Sequence, residues 1–187
     1  MRLLMAPLIL LATTAAATPL VRFTLVSQDS TADARVPFMG IANASARFPQ
    51  MSGEIAFWPD RQEAFDFHIE IDARAIESSS GMMTRTLKGQ KFFDVANHPT
   101  ITFAGTDFRM TSTTEAQVSG ELTARGVTRP VALAVTFATP PMQTDGTMPI
   151  DFTASTTIDR REFGMKAYPL IVGNIVKIAI NARMEPE

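Results

Sequence analysis

The sequence predicts an all-β protein of about nine strands, closed as an antiparallel barrel or stacked as a two-sheet sandwich, with one short helix. Three observations carry this. Apolar residues recur at every second position in four separate stretches, the period of a strand with one wet face. Turn-forming groups punctuate the chain at short intervals: Trp58-Pro59-Asp60, Asn97-His98-Pro99, Gly126, Pro140-Pro141 and Asp145-Gly146. Only one segment, from about Ser80 to Lys88, reads as a helix, with Ser78–Ser80 available to cap it.

The elements follow in order. Residues 1–17 read as a cleaved export signal. Arg2 is a minimal basic start, Leu3 to Leu11 is an apolar run broken by Pro7, and Ala15-Ala16-Ala17 fits a cleavage site, so the mature chain is expected to begin at Thr18. The run is shorter than the roughly 20 residues that span a bilayer, and no Lys/Arg stop-transfer pattern follows, so a membrane anchor is the weaker reading. No Cys follows the cleavage point, which argues against a lipoprotein. Residues 18–187 show no linker, composition shift or repeat and read as a single domain. Strands are expected at 20–28, 32–41, 53–57, 63–71, 100–110, 116–125, 131–137, 150–158 and 176–182. Four of them define their inward face clearly: Phe65, Phe67, Ile69 and Ile71; Val131, Leu133, Val135 and Phe137; Ile150, Phe152, Ala154, Thr156 and Ile158; and Val176, Ile178, Ile180 and Ala182.

The stretch Met83 to Met110 is an architectural joint, in which a helical turn leads through Phe92 and Phe93 into a strand with Ile101 and Phe103 on one face. Adjacent residues of an extended segment cannot both face inward. One of the pair is therefore expected to pack under the helix, and the other to plug or gate the barrel end. Gly126 reads as a turn residue with positive φ. Arg160 has two readings, a partner for a carboxylate or a surface arginine, and Phe163 is either a cap on the lumen or an ordinary core residue.

Composition excludes several function classes. A formal charge of -2 argues against nucleic acid, and no Lys/Arg-rich run supports a polybasic membrane patch. With no Cys there are no disulfides and no thiolate chemistry, so the fold rests on its core. Thirteen Phe stand against one Trp and one Tyr, with eleven Met. Phe has no polar atom to satisfy and Met adapts to irregular space, so both suit a dry interior. A barrel of about eight strands can fill that interior with side chains or hold one apolar ligand, and composition leaves both open.

Catalysis finds no candidates. His68 falls on the polar face of its strand, His98 sits in a turn, and neither has metal-ligand spacing to another His or a carboxylate. Asp66 and Glu70 lie on a wet face, Ser78–Ser80 form a polar loop, and neither Gly-x-Ser-x-Gly nor a Gly-rich phosphate loop occurs. No catalytic residue, metal or cofactor is expected.

Six motifs in order resemble one known family: Leu87-Lys88-Gly89, Phe92-Phe93-Asp94-Val95, Pro99-x-Ile101-x-Phe103, Gly120-Glu121-Leu122-Thr123, Gly126-Val127-Thr128-x-Pro130-Val131 and Arg160-x-x-Phe163-Gly164-Met165. This pattern resembles the YceI-like, lipid/polyisoprenoid-binding proteins exported by bacteria, over essentially the whole mature chain. Many members carry Arg-Asp where this chain has Met83 and Thr84, and the common aromatic of the first strand is absent. The resemblance implies an extended, lipocalin-like antiparallel barrel whose lumen holds a long isoprenoid, such as a prenylated quinone precursor, without catalysis, in the periplasm. Its lumen-facing residues would then be Phe38, Phe65, Phe67, Ile69, Ile71, Phe92, Ile101, Phe103, Leu122, Leu133, Val135, Phe152, Phe163, Val176 and Ile178. The expected partners are that lipid and, transiently, a membrane; monomer and homodimer both stay open. Two other readings share the same barrel: an enzyme acting on a lipid in the lumen, and a filled barrel acting through its outer surface.

Overall fold

The structure, a computed structural model, describes residues 20–58, 61–141 and 146–187, with only the backbone described for Phe57 and residues 61–65. The expected export signal lies outside the described residues. Among the described residues, eleven strands form one sheet. In chain order they are β1 (Val21–Leu25), β2 (Thr31–Phe38), β3 (Ala42–Phe48), β4 (Met51–Trp58), β5 (Arg61–Asp72), β6 (Glu77–Ser78), β7 (Thr100–Met110), β8 (Glu115–Ala124), β9 (Val127–Phe137), β10 (Ile150–Asp159) and β11 (Ile175–Pro186). The helix α1 (Gly81–Lys88) lies between β6 and β7.

Eight strands, in the order β1-β4-β5-β7-β8-β9-β10-β11, close into an antiparallel barrel when β11 pairs back onto β1. The remaining three, β2-β3-β6, continue the sheet past β11 at one end. The outer edge of β11 is therefore shared: Lys177 to Asn181 pair with β2, and Met184 to Pro186 pair with β1. Of the two architectures compatible with the strand pattern, the barrel is the one formed.

The helix forms where its signals lie. The Ser80 hydroxyl accepts from the Met83 N–H at 3.2 Å, and Arg85 and Lys88 occupy the last turn, where the helix dipole favours cations. β8 and β9 meet in a two-residue turn, Arg125 (φ 52) and Gly126 (φ 71), the left-handed pair of a type I′ hairpin.

Two expected strands differ from those observed. The 20–28 strand ends at Leu25 and gives way to a 3-10 turn at Ser27–Asp29. The 32–41 strand stops at Phe38, because Met39 (φ 53) and Gly40 (φ 71) reverse the chain into β3. Strand β3 was not expected: Ala42-Asn43-Ala44-Ser45-Ala46 has no large apolar side chain to show a period.

The core has two parts. Phe23, Phe67, Phe103, Val118, Leu133 and Phe152 pack inside the closed barrel. At the end covered by α1, Phe48, Ile76, Ile101, Phe163 and Met165 form a second cluster, on which Leu87, Phe93 and Val95 rest.

Candidate functional site: the barrel lumen

The inward faces are set by strict alternation. Along β10, Ile150, Phe152 and Ala154 are buried while Asp151, Thr153 and Ser155 are exposed. Phe67 and Ile69 are buried on β5, with His68 between them on the outer face, 3.4 Å from Glu70. Glycine makes room for one of the large rings. Phe103 lies across Gly120, where a Cβ would come within 2.5 Å of the ring. A series of Phe contacts follows around the wall: Phe67–Phe103 at 5.7 Å, Phe108–Phe137 at 6.5 Å and Phe137–Phe152 at 6.0 Å between ring centroids.

These faces leave a cavity inside the barrel. Its volume, counted as room for the centres of water molecules, is about 180 Å³. A single water occupies only roughly 10–15 Å³, so this is far more than a packing defect. The wall follows β10 from Ile150 to Ile158, roughly 26 Å of strand and roughly 20 Å of barrel axis at ordinary strand tilt. Among the described residues, all that line it are apolar except Asp33, Thr156 and Arg160.

Each of those three is already engaged. Asp33 pairs with Arg47 at 2.9 Å, and the Thr156 hydroxyl donates to the Ala132 carbonyl at 2.8 Å. Arg160 is 3% exposed, and its guanidinium donates to the carbonyls of Gly173 (2.8 Å), Val172 (2.9 Å) and Met165. Neither sequence reading of Arg160 holds: it is buried, and it binds backbone carbonyls rather than a carboxylate. Burial lowers its pKa, yet a guanidinium stays protonated at any physiological pH and cannot serve as a general base. The neighbouring Asp159 is taken by Arg161, whose hydrogen bonds hold its carboxyl at about 2. Among the described residues, no group of three or more His, Cys, Asp or Glu could hold a metal.

Eleven of the fifteen lumen candidates lie on this one wall: Phe67, Ile69, Ile71, Ile101, Phe103, Leu122, Leu133, Val135, Phe152, Val176 and Ile178. The side chain of Phe65 lies outside the described residues. Three others sit elsewhere. Phe38 closes β2 beyond the end of the cavity, opposite Ala42 and bridged to Val172. Phe163 is completely buried in the second cluster, so it is a core residue rather than a cap on the lumen. Phe92, one of the fifteen, is off the wall, and its neighbour Phe93 is on it. The segment is coiled, not extended, with the N–H groups of Phe92 and Asp94 both donating to the Gly89 carbonyl at 3.0 Å. Phe93 therefore reaches the wall and meets Phe48 edge-on at 5.4 Å, while Phe92 stacks on Tyr168 at 6.1 Å.

The structure adds wall residues that the candidate set omits, among them Leu25, Phe48, Trp58, Phe108 and Phe137. Phe137 was visible in the alternation of its strand. Phe108 was not: a bulge between Gly105 and Asp107 shifts the inward parity of β7 from odd to even positions.

With this geometry in place, the relatives are informative. The family model described as "YceI-like domain" matches residues 23–184. A UPF0312 protein of Pseudomonas syringae pv. syringae is 24% identical over 139 residues, 74% of this chain and 72% of its own. BcnA of Burkholderia cenocepacia superposes with a TM-score of 0.75 at 20% identity, covering 85% of this chain and 98% of its own. A polyisoprenoid-binding domain from Saccharophagus degradans, implicated in plant cell wall breakdown, superposes at 0.68 with 11% identity, covering 88% of this chain and 98% of its own. At these identities the superpositions establish the shared barrel, and the match over residues 23–184 establishes the lineage: the chain belongs to the YceI-like domain family.

Proposed function

We propose that the protein is an exported carrier that encloses a long apolar lipid chain, of the polyisoprenoid class, in the barrel lumen and does not alter it chemically. The observation that carries this is the cavity itself: continuous along the barrel, almost wholly apolar, with each polar side chain on its wall already hydrogen-bonded. A site that rejects polar groups and offers no acid, base or nucleophile favours burial over chemistry. The polyisoprenoid-binding domain that shares the fold supports the ligand class.

The energetics are those of transfer. Each five-carbon unit moved out of water gains roughly 4 kcal/mol, so eight units would nominally gain about 30. That exceeds the ceiling of roughly 18–21 kcal/mol for non-covalent binding, and ordering the chain opposes it. An isoprenoid also starts from a membrane or an aggregate, not from water. The useful affinity is therefore a difference between two dry environments, and the length of the lumen, rather than contact strength, selects the chain. A polar head group would remain outside the wall. The export signal of residues 1–17 would place the carrier in the periplasm.

The test combines N-terminal sequencing, native mass spectrometry and lipid extraction of the exported protein. The chain is expected to begin at Thr18 and to carry an isoprenoid or similar lipid. Phe152→Trp should then shorten or expel the bound chain while leaving the stability of delipidated protein near that of its parent. Loss of about 1–3 kcal/mol from overpacking, with no lipid in either protein, would overturn the carrier reading and favour a filled barrel acting through its surface.

A further inference from the structure

Among the described residues, the large apolar side chains left in solvent gather at one end of the barrel, with Met148 at the opposite end the exception. Ile41 is 92% and Leu170 97% exposed, with Met39, Ile171 and Ile175 beside them in the chain and also open. They belong to two segments, the β2–β3 turn and the loop leading into β11. The backbone ties these segments together: the Met39 N–H donates to the Ile171 carbonyl, and the Gly173 N–H to the Pro37 carbonyl, each at 2.7 Å. Main-chain bonds thus hold these side chains out in water as one patch, the kind of exposure that marks an interaction surface.

The patch adjoins the end of the lumen. Val176, next to Ile175, and Phe93, next to Phe92, are on the cavity wall. Phe92 in turn stacks on Tyr168 of the patch loop, and the Lys91 ammonium lies 5.3 Å from the Tyr168 ring centre.

Charge distinguishes this end from the other. Residues 72–99, 125–129 and 159–177 carry ten Lys/Arg against five Asp/Glu. At the opposite end, residues 20–25, 54–58, 66–67, 105–117, 146–153 and 183–187 carry three against seven. Two of those five acids are also neutralised locally, Asp72 by Arg74 and Asp159 by Arg161. Lys91 and Lys166 make no ion pair among the described residues.

We propose that this end of the barrel docks on an anionic bilayer, with Ile41 and Leu170 entering the acyl boundary and Lys91 and Lys166 lying over the head groups. Aliphatic prongs, an interfacial tyrosine and unpaired lysines on one rim are what such a surface binds. A symmetric dimer through this end fits less well, because two cationic ends would repel each other. The inference rests on the carrier reading for its purpose: it brings the end of the lumen to the membrane that supplies or receives the lipid.

Flotation of the purified exported protein with vesicles tests it. One set is phosphatidylcholine alone, the other an equimolar mixture with phosphatidylglycerol. Binding should favour the mixed vesicles and weaken as salt screens the charges. Ile41→Glu with Leu170→Glu should abolish flotation with no change in melting temperature, since both side chains are exposed. Lys91→Gln and Lys166→Gln should each weaken it roughly five-fold. Absence of binding to the mixed vesicles at low salt overturns the proposal. So does unchanged binding by the double glutamate variant, or a dimer that this variant splits without any vesicle binding. Lipid extracts of the same samples separate the two readings. Carried lipid without flotation removes the docking surface and leaves the carrier; flotation with no carried lipid removes the carrier and leaves the surface.

Discussion

The closed half of the barrel and the end beneath α1 both bury large apolar residues, but they solve the accompanying polar problem differently. In the closed half, strand ladders pair the backbone, and side chains have only to alternate, as Phe152 and Ala154 do opposite Phe137 and Val135 of β9. At the helix end the chain leaves the ladder in short turns, and buried carbonyls need other donors. Arg160 supplies them: it serves the carbonyls of Gly173, Val172 and Met165. The half-buried Arg125 adds bonds nearer the surface, to Gly164 and, at 2.8 Å, to Gln90. Where this loop is buried, a cation is buried with it; where the strands are buried, none is needed.

Breaking the rule of the closed half should have the largest effect. Phe67→Asp places an unpaired charge on the wall and removes a ring in edge contact with Phe103, and should cost about 4 kcal/mol or more. His68→Asp, one position along on the exposed face, should change the urea midpoint little. Equal losses from both would place the wall on the wrong face of β5.

The helix end should respond less, and locally. Arg160→Met keeps an apolar stem but leaves three carbonyls without their donor, for a loss of about 2–4 kcal/mol. Amide exchange should accelerate across residues 164–174 while that of Phe67 to Ile71 holds. Uniform acceleration would mean that the two regions are one cooperative unit and that the contrast has no energetic meaning.

The smallest effect is electrostatic. The Arg161 side chain and N–H hold the half-buried Asp159 carboxyl at about 2, below its ordinary 3.8. A depressed carboxylate stabilises the fold at pH above its unfolded value and loses that contribution as pH falls through the folded one. The difference in melting temperature between the parent and Asp159→Asn should therefore be constant above about pH 4 and shrink toward about pH 2. A difference that persists unchanged to pH 2 would show that the pair does not secure the turn after β10.

The same contrast explains what could be read in advance. The walls of β9, β10 and β11 were legible because their inward residues are large and the period is unbroken, from Val131 to Phe137 and from Val176 to Ala182. β3 was invisible because alanines carry too little hydrophobic signal. Phe108 was hidden by a bulge, which breaks the period of the strand and whose one trace in the sequence is Gly105. The order of Phe92 and Phe93 depended on a coil around Gly89, and the burial of Arg160 on carbonyls five to thirteen residues away. Periodicity reports on ladders; it carries no information about where a loop's carbonyls will need a donor.

The pairing of β1 with β11 has a consequence for the order of folding. It joins the first described strand to the last, with Phe23 opposite Pro186, and the Thr24 hydroxyl donating to the Glu187 carboxylate at 3.0 Å across 163 positions. Bringing such distant segments together costs more loop entropy than forming β7, β8 and β9, which succeed one another along the chain. The meander is thus expected to form early and the seam late. The lumen is enclosed only when the C-terminal strand arrives, and the seam, held by only three registered residue pairs, is the first place at which the closed ring can open again.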